Sequence, residues 1–456
     1  MMIKRTISYI LAFLLIFGCI MHTYAEETQA DMSVSNGCHS IDAQKPYIGQ
    51  GVLVENMKSA FLYEINSQSL LYAYNSDLPQ YPASLVKIMT ALLVLENAEL
   101  DATVTVSQTA LDSVSSNAIS VNLQAGEQIT VENLMYCMMV KSANDAAAVL
   151  AEHISGSQDA FVAKMNDRAA ELGCTGTKYV NVHGLHHDEQ VTTAKDTCRV
   201  LQEAMKHESF RTFFGTAHYT VPATNLSEER ILTTNNYLMS TEDVGIYLDS
   251  RVTGGRTGVT TEGFRCIAST AQSGNMDVIC IVMGCASTIL ENGHTDVYGA
   301  FPETIQLLNY AFDGNAMHQI VFADQILSQH SVLNGDSDVF AMAKENIFAV
   351  LPAEYGLKNL SFQYTEAAGA SQAPITKGQS LGSVQIMYGS SCVAQTELFA
   401  ANDVDVAVSK EGAYLEPESN KFPWVLILIL VVLAAAGLVV YRKLRIQKNT
   451  SRRRRT

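Results

Sequence analysis

The order of strand-like and helix-like segments limits most strongly the folds open to this chain. Residues 59–75, SAFLYEINSQSLLYAYN, contain two short apolar runs around Asn66 and Ser67, which predicts a β-hairpin. Two further strands are predicted at 265–272 and 276–285, RCIASTAQ and MDVICIVMGC. Apolar residues at helical spacing fill three stretches between them, 84–95, 131–153 and 161–172. This order predicts an α/β (α+β) sandwich whose sheet is assembled from both ends of the domain.

A different pattern begins after residue 314. Short strand-like pieces such as LSFQYTE and SVQIMYG, separated by turn residues, predict an all-β domain over residues 316–409. The polar residues 410–422 predict a tether. The uncharged apolar run 423–441 is long enough for a helix that spans the roughly 30 Å hydrocarbon core of a membrane. The basic tail 442–456 predicts that the C-terminus is cytoplasmic.

The N-terminus predicts export. Lys4 and Arg5 precede an apolar run and then small residues, which is the pattern of a signal peptide over residues 1–25, followed by a polar leader over 26–46. The folded body would then lie outside the cell, held at the cell membrane by a single C-terminal span. Ten of the 30 basic residues fall in the signal peptide and the tail, so the body carries 20 basic and 46 acidic residues, a net charge of about −26. This charge argues against nucleic acid as a partner.

The cysteines leave two possibilities open. Of the nine, Cys19 lies in the signal peptide, and the remaining eight could form disulfides in an exported protein. However, Cys137, Cys266, Cys280 and Cys285 lie in apolar runs, where cysteine often acts as a small hydrophobic residue. Pairing cannot be derived from the sequence, and the pattern slightly favours free thiols.

Ser84 and Lys87 form the single Ser-x-x-Lys of the chain, where an apolar helix is predicted to begin. A spacing of three residues places both side chains on one helical face. A serine hydroxyl becomes a good nucleophile when a base removes its proton, and a lysine amine is a base only when it is neutral. Deprotonating an ordinary lysine at pH 7 costs about 4.6 kcal/mol, so a lysine base requires burial and a second positive charge. The alternative is a surface pair on an amphipathic helix.

Arg256 in VTGGRTG, residues 252–258, offers such a charge. Its guanidinium suits bidentate binding of a substrate carboxylate, and it would disfavour protonation of a neighbouring lysine. The Thr257-Gly258 pair beside a predicted strand would let a substrate backbone approach closely. A solvated charge near a turn is the alternative for Arg256.

Ser142-Ala143-Asn144 is a candidate third element, between helix-like segments. Its hydroxyl and amide could pass a proton to a leaving group and hold a substrate amide. The motif is weak by itself, because Ser115-Ser116-Asn117 has the same form and because a serine there could be a helix cap.

Taken in order, these three elements resemble the motifs of penicillin-binding proteins and serine β-lactamases. The stretches PASLVKIMTA, SANDAAAVLAEHISGS and RTGVTTEGF are similar to the low-molecular-mass D-alanyl-D-alanine carboxypeptidases, the S11 serine peptidases. The resemblance runs from about residue 50 to 312. It continues more weakly through APITKGQSLGSVQIM into a small β domain that the family often carries.

The resemblance implies a role for each residue of the first two motifs. Ser84 would form the acyl-enzyme, and Lys87 would accept its proton. Ser142 would assist proton transfer to the departing D-alanine, while Asn144 would position the substrate amide. The family usually has glycine where Ala143 stands.

The resemblance also implies a substrate-binding strand. Arg256 and Thr257 would hold the terminal carboxylate beside Gly258, and the backbone amides of Ser84 and Val259 would form the oxyanion hole. The family usually has lysine where Arg256 stands. Arginine keeps the charge but is bulkier and does not give up a proton, so activity is expected to survive with an altered rate or β-lactam sensitivity.

The stretch HGLHHDE is a possible metal site, because histidine is a frequent metal ligand. No cysteine or second histidine cluster lies at a usual ligand spacing from His183, His186, His187 and Asp188. No metal and no organic cofactor are therefore predicted, and His183 is interpreted as part of a structural turn.

The sequence thus predicts a secreted, membrane-anchored serine carboxypeptidase that removes the terminal D-alanine from peptidoglycan stem peptides and is inhibited by β-lactams. One alternative is a serine β-lactamase, although the Glu-x-x-Leu-Asn run of the class A enzymes is absent. Another is a membrane-tethered sensor that binds stem peptides or β-lactams without turnover. The predicted segments are a signal peptide 1–25, leader 26–46, catalytic domain 47–314, β domain 316–409, linker 410–422, transmembrane helix 423–441 and tail 442–456.

Overall fold

The computed structural model of the protein describes residues 56–240, 246–260, 264–289, 296–353, 359–389 and 391–407. The predicted signal peptide, leader, linker, transmembrane helix and basic tail lie outside these residues. Among the residues described, no helix combines the length and the apolar character needed to cross a bilayer. The chain divides into two units, Met1–Val404 and Asp405–Thr456, and the elements described below belong to the first.

Up to residue 313 the chain contains both strands and helices, with most of the helices between the two N-terminal strands and the later strands. The strands are β1 (Ser59–Glu64), β2 (Ser69–Tyr74), β3 (Thr103–Thr105), β4 (Gln128–Thr130), β5 (His218–Val221), β6 (Arg230–Thr233), β7 (Val252–Val259), β8 (Arg265–Ser273), β9 (Met276–Cys285), β10 (Ser287–Ile289) and β11 (Asp296–Tyr298). The helices are α1 (Val86–Asn97), α2 (Gln108–Asp112), α3 (Val131–Val140), α4 (Asn144–Ser155), α5 (Gln158–Glu171), α6 (Ala194–Ala204), α7 (Glu208–Gly215) and α8 (Ala300–Asp313), and a 3-10 turn at Ala83–Leu85 precedes α1.

The central sheet has five antiparallel strands in the order β2-β1-β9-β8-β7. Strands from the beginning and the end of the domain therefore pair directly, as predicted. Alternate side chains of a strand point to opposite faces of the sheet. Both faces of this sheet are covered. Phe61 and Ile279 pack in the core with the large helical block, whereas Leu62 and Cys280 pack in the core that includes α8. The predicted α+β sandwich is confirmed.

The helical block contains one departure from the predicted pattern. The apolar spacing predicts one helical stretch over 131–153, but α3 ends at Val140 and α4 begins at Asn144. Ser142 has a left-handed backbone with φ of 70°, which costs about 1 kcal/mol or more for a residue with a side chain. The amide of Asn144 donates to Ile119 O at 2.8 Å, so a tertiary contact replaces a helical hydrogen bond at the break.

The C-terminal part of the first unit consists of β-strands, as predicted. They are β12 (Asn315–Val321), β13 (Ile326–His330), β14 (Val339–Met342), β15 (Ile347–Pro352), β16 (Leu360–Glu366), β17 (Ser380–Tyr388) and β18 (Ser391–Ala400). β12 pairs with β15, and the others form a sheet in the order β13-β14-β18-β17-β16. Two small apolar clusters, one with Ile386 and one with Val384, form the core of this region.

Six cysteines are free thiols, as the sequence pattern slightly favours. Cys137, Cys174, Cys198, Cys266, Cys280 and Cys285 are free and buried. Cys392 is disulfide-bonded, so the expectation of free thiols is wrong at that position.

Candidate active site

Ser84 and Lys87 meet at the beginning of α1. Ser84 lies in the 3-10 turn and Lys87 in the first turn of the helix, so both side chains project to the same side. The Lys87 Nζ is 3.3 Å from the Ser84 Oγ. Ser84 remains partly exposed, whereas Lys87 is fully buried. This is the arrangement of a reachable hydroxyl above a desolvated amine.

The Lys87 amine contacts three oxygen atoms. Besides the Ser84 Oγ, it donates to Asn144 Oδ1 at 2.8 Å and to the His183 carbonyl oxygen. The amide and carbonyl oxygens are acceptors only. A neutral amine that donates its two hydrogens to them directs its lone pair at the Ser84 hydroxyl. After taking the proton, the ammonium can donate to all three oxygens without moving.

The surroundings of Lys87 favour the neutral amine. Burial lowers the pKa of Lys87 well below its usual range, and the positive charge of Arg256 lowers it further, against an opposing effect of Asp145. Desolvation penalises the charged form of a lysine, and a nearby cation adds repulsion. Lys87 therefore has the electrostatic environment that a general base needs near neutral pH.

The break between α3 and α4 places Ser142 and Asn144 at the same point. The Ser142 Oγ donates to the Ser84 Oγ at 3.1 Å. Asn144 holds Lys87 through its Oδ1, while its Nδ2 donates to Ile119 O at 3.0 Å. A continuous helix would not present Ser142 in this way, so the departure from the predicted helix builds the site.

Asp145 supports the position of Asn144 through hydrogen bonds to a neighbouring loop. No sequence pattern indicated this role of Asp145. Its carboxylate accepts hydrogen bonds from the Ser120 hydroxyl at 2.5 Å and from the backbone amides of Val121 and Leu123. It is buried next to Asn144. Asp145 thereby ties the loop that carries Ile119 to the beginning of α4.

Arg256 lies beneath the site. It is 1% exposed, and its Nη1 donates to the Met139 carbonyl at 2.8 Å, in the last turn of α3. Its Nε is 3.4 Å from the Ser84 carbonyl, and its Nη2 has no partner among the described residues. Burial lowers the pKa of Arg256 to about 9, so it remains a cation at pH 7. These contacts give Arg256 an electrostatic and positioning role, and its direct contact with a substrate carboxylate stays a prediction.

Two glycines bring the backbone against Ser84. A β-carbon at Gly258 would lie 3.0 Å from the Ser84 amide nitrogen, and one at Gly184, which has φ of 87°, would lie 2.0 Å from Ala83 O. Side chains at either position would displace the turn that carries the nucleophile. The close passage of Gly258 brings β7 beside the turn that carries Ser84, and the oxyanion hole formed by the amides of Ser84 and Val259 stays a prediction.

A cavity of about 280 Å³ opens above these residues. Ser84, Ser142, Asn144 and the Thr257–Val259 segment line it, and Asn235 does so as well. Sequence reasoning missed Asn235, because its approach to Thr257 depends on how the β5–β6 hairpin folds. Arg256 and Lys87 do not line the cavity.

The histidine-rich turn contributes a backbone atom to the site. His183 accepts a hydrogen bond from Lys87 through its carbonyl, and burial, together with the nearby Lys87, lowers the pKa of its imidazole to about 3. His186 and His187 line the cavity. Among the described residues, no three His, Cys, Asp or Glu side chains converge in the manner of metal ligands.

The fold and the pair formed by a partly exposed Ser84 and a buried Lys87 define a serine acyl-transfer enzyme of the penicillin-binding type. Residues 53–287 match the Peptidase S11 family, D-alanyl-D-alanine carboxypeptidase, and the chain belongs to this family. Residues 316–406 match the C-terminal domain of penicillin-binding protein 5. The predicted family and the predicted class of serine carboxypeptidase are confirmed.

Named relatives agree with this assignment. The chain is 28% identical over 358 residues to the D-alanyl-D-alanine carboxypeptidase DacF of Bacillus subtilis, covering 78% of this chain and 87% of that protein. It is 32% identical over 255 residues to the D-alanyl-D-alanine carboxypeptidase of Streptomyces sp. strain K15, covering 53% of this chain and 82% of that one. The structure of penicillin binding protein 5 from Haemophilus influenzae is similar with a TM-score of 0.63 and 26% identity, covering 78% of this chain and 100% of that one.

Proposed function

We propose that this enzyme removes the terminal D-alanine from peptidoglycan stem peptides through an acyl-enzyme on Ser84. The observation that carries the proposal is the position of the Ser84 Oγ, 3.3 Å from a buried lysine amine and 3.1 Å from the Ser142 hydroxyl, in the wall of a cavity. A hydroxyl between a neutral amine and a second hydroxyl is arranged for proton transfer in both directions.

The reaction follows from these contacts in two halves. In the first, Lys87 takes the Ser84 proton as Oγ bonds to the carbonyl carbon of the penultimate D-alanine. The C–N bond then breaks, and the proton passes from Lys87 through the Ser142 hydroxyl to the departing amino group of D-alanine. In the second, a water molecule gives a proton to Lys87 and adds to the ester carbon, which releases the shortened peptide and restores the Ser84 hydroxyl.

Backbone amides and nearby cations can stabilise the negative charge that develops on the carbonyl oxygen. The Ser84 amide begins the chain of helical amides at α1, and β7 passes directly beside it at Gly258. Two amide donors at such a position typically lower the barrier by a few kcal/mol each, since removing one costs about 2.7–4 kcal/mol. The positive charges of Lys87, once protonated, and of Arg256 beneath the turn act in the same direction.

The acyl-enzyme can be observed directly with a β-lactam. After incubation with benzylpenicillin, we expect one penicilloyl adduct per chain by intact mass, located by peptide mapping on the segment that contains Ser84. A ring-opened β-lactam lacks a departing group that leaves the site, so the adduct should persist for minutes or longer. An adduct on another residue would contradict the assignment of the nucleophile.

The chain ends support a location at the cell membrane, with the catalytic domain outside and the C-terminus in the cytoplasm. The basis is the apolar run 423–441 followed by the basic tail 442–456, together with the signal-like N-terminus. We expect the full chain to remain with membranes after an alkaline wash, and a chain ending at residue 409 to be released outside the cell in active form. Release of the full chain by the same wash would contradict the anchor.

A further inference from the structure

We propose that Asn235 is a specificity-determining residue, which donates from its side-chain Nδ2 to the terminal carboxylate of the substrate while the Thr257 hydroxyl holds the other end of the amide. This inference rests on the proposed function, because it concerns the leaving half of the same peptide. The carboxylate would then be held by a neutral amide in the cavity wall.

The exposure of Asn235 is the first observation. Its side chain is exposed and lines the cavity, although its neighbours Thr234 and Asn236 are buried. The backbone that carries it is fixed on both sides. The Thr234 amide donates to Ala217 O at 2.9 Å, and the Asn236 amide donates to Thr234 Oγ1 at 3.2 Å. Asn235 therefore has an exposed side chain on a backbone that hydrogen bonds fix on both sides.

The contact between Asn235 and Thr257 is the second observation. The Thr257 hydroxyl donates to Asn235 Oδ1 at 2.8 Å. This hydrogen bond uses the acceptor end of the amide and leaves Nδ2, with its two hydrogens, at the other end. None of the hydrogen bonds within the described part of the chain uses that Nδ2. An amide donor that is held in orientation at its other end, in the wall of the cavity that Ser84 also lines, is suited to an anionic ligand.

The position of the pair relative to Ser84 fits a carboxylate one residue beyond the scissile bond. β7 passes so close to the 3-10 turn that a β-carbon at Gly258 would lie 3.0 Å from the Ser84 amide nitrogen, and Thr257 is the next residue along that strand. A single residue spans about 3.8 Å. With the scissile carbonyl at Ser84 Oγ and its oxygen between the Ser84 and Val259 amides, the terminal carboxylate lies within reach of Thr257 and Asn235.

The charges around the cavity explain why neutral donors are needed. No lysine or arginine is among the described residues that line it. Arg256 is 1% exposed, donates to the Met139 carbonyl and does not line the cavity in this structure, so its charge would attract an anion from below. The Asn235 Nδ2, oriented by Thr257, would supply the hydrogen bond, and the buried cation would supply the field.

Two substrates that form the same acyl-enzyme test this proposal in the purified full-length protein. One is diacetyl-lysyl-D-alanyl-D-alanine, and the other is the methyl ester of diacetyl-lysyl-D-alanine, whose leaving group has no carboxylate. For Asn235→Asp we expect kcat/KM for the first to fall at least tenfold, because two carboxylates then face each other. We expect kcat/KM for the ester to stay within about twofold. Asn235→Ala should show a smaller loss with the same selectivity.

Two further variants serve as controls for the role of Asn235. Asn359→Asp, an exposed position in the β domain, should leave both substrates unchanged. Equal losses for both substrates in Asn235→Asp, or no loss for either, would overturn the role of Asn235. A selective loss of kcat/KM for the peptide in His186→Ala, with no such loss in Asn235→Asp, would also overturn this role. The carboxylate would then bind at the histidine turn. Failure of the wild-type enzyme to cleave the first substrate would instead contradict the proposed function.

Discussion

Replacing Ser84 by alanine is expected to lower the rate of D-alanine release by at least about 10⁴-fold, the scale seen when a nucleophile is removed from a serine peptidase. The substitution leaves no hydroxyl for Lys87 to deprotonate and none to form the ester. The same variant should form no covalent adduct with benzylpenicillin. Both effects are measured on the purified protein, by D-alanine quantification and by intact mass.

The structure gives reason to expect that the Ser84→Ala protein folds. The 3-10 turn is closed by a backbone hydrogen bond from the Leu85 amide to the Pro82 carbonyl at 3.1 Å, which does not involve the hydroxyl. The midpoint of thermal unfolding should therefore change little. Ser361→Ala, an exposed position on β16, is a matched control that should keep full activity. Undiminished release by Ser84→Ala would refute the assigned nucleophile.

Replacing Lys87 by alanine should have the second-largest effect, a loss of about 10²–10⁴-fold in the rate of acylation. The base is removed, and no lysine or arginine among the described residues that line the cavity could take its place. This variant also leaves Asn144 Oδ1 and the His183 carbonyl without their donor, which costs about 1–3 kcal/mol for each group left unsatisfied. The control Lys377→Ala, exposed in the β domain, should change neither the rate nor the stability. Acylation of Lys87→Ala at the wild-type rate would show that another group is the base.

A pH profile separates the chemical role of Lys87 from its structural role. Because Lys87 must be neutral to act, acylation should be present above its pKa in the folded protein and should be lost as the pH falls through that value. Arg256 lowers this pKa. We therefore expect Arg256→Gln to move the acid limb of kcat/KM to higher pH, and Arg256→Lys, which keeps a cation, to move it less. An unchanged acid limb in Arg256→Gln would contradict the electrostatic role of Arg256.

Local patterns were enough to predict part of the site. The three-residue spacing of Ser84 and Lys87 on a helix brings them together through backbone geometry alone, and the hairpin around Asn66 follows from turn residues between apolar runs. Burial of Lys87 also follows, in outline, from the apolar character of α1. These features depend on neighbours in the sequence, so the sequence is sufficient to indicate them.

Long-range contacts determine what the sequence did not reveal. The break at Ser142 interrupts a continuous apolar pattern, because Asp145 and the Asn144 amide bind the loop around Ile119 more than twenty residues earlier. The burial of Arg256 depends on its contact with the last turn of α3. The position of Asn235 depends on the β5–β6 hairpin. Such contacts carry no periodicity, and they were therefore visible only in the folded chain.

The most direct test of the central claim is a time course of D-alanine release from diacetyl-lysyl-D-alanyl-D-alanine, run beside benzylpenicillin hydrolysis on the same enzyme. We expect many D-alanine molecules to be released per enzyme molecule, with the penicillin held as a slowly resolved adduct on Ser84. No release despite an adduct would instead indicate a sensor without turnover. Faster turnover of penicillin than of peptide would indicate a β-lactamase, and either result would contradict the carboxypeptidase mechanism.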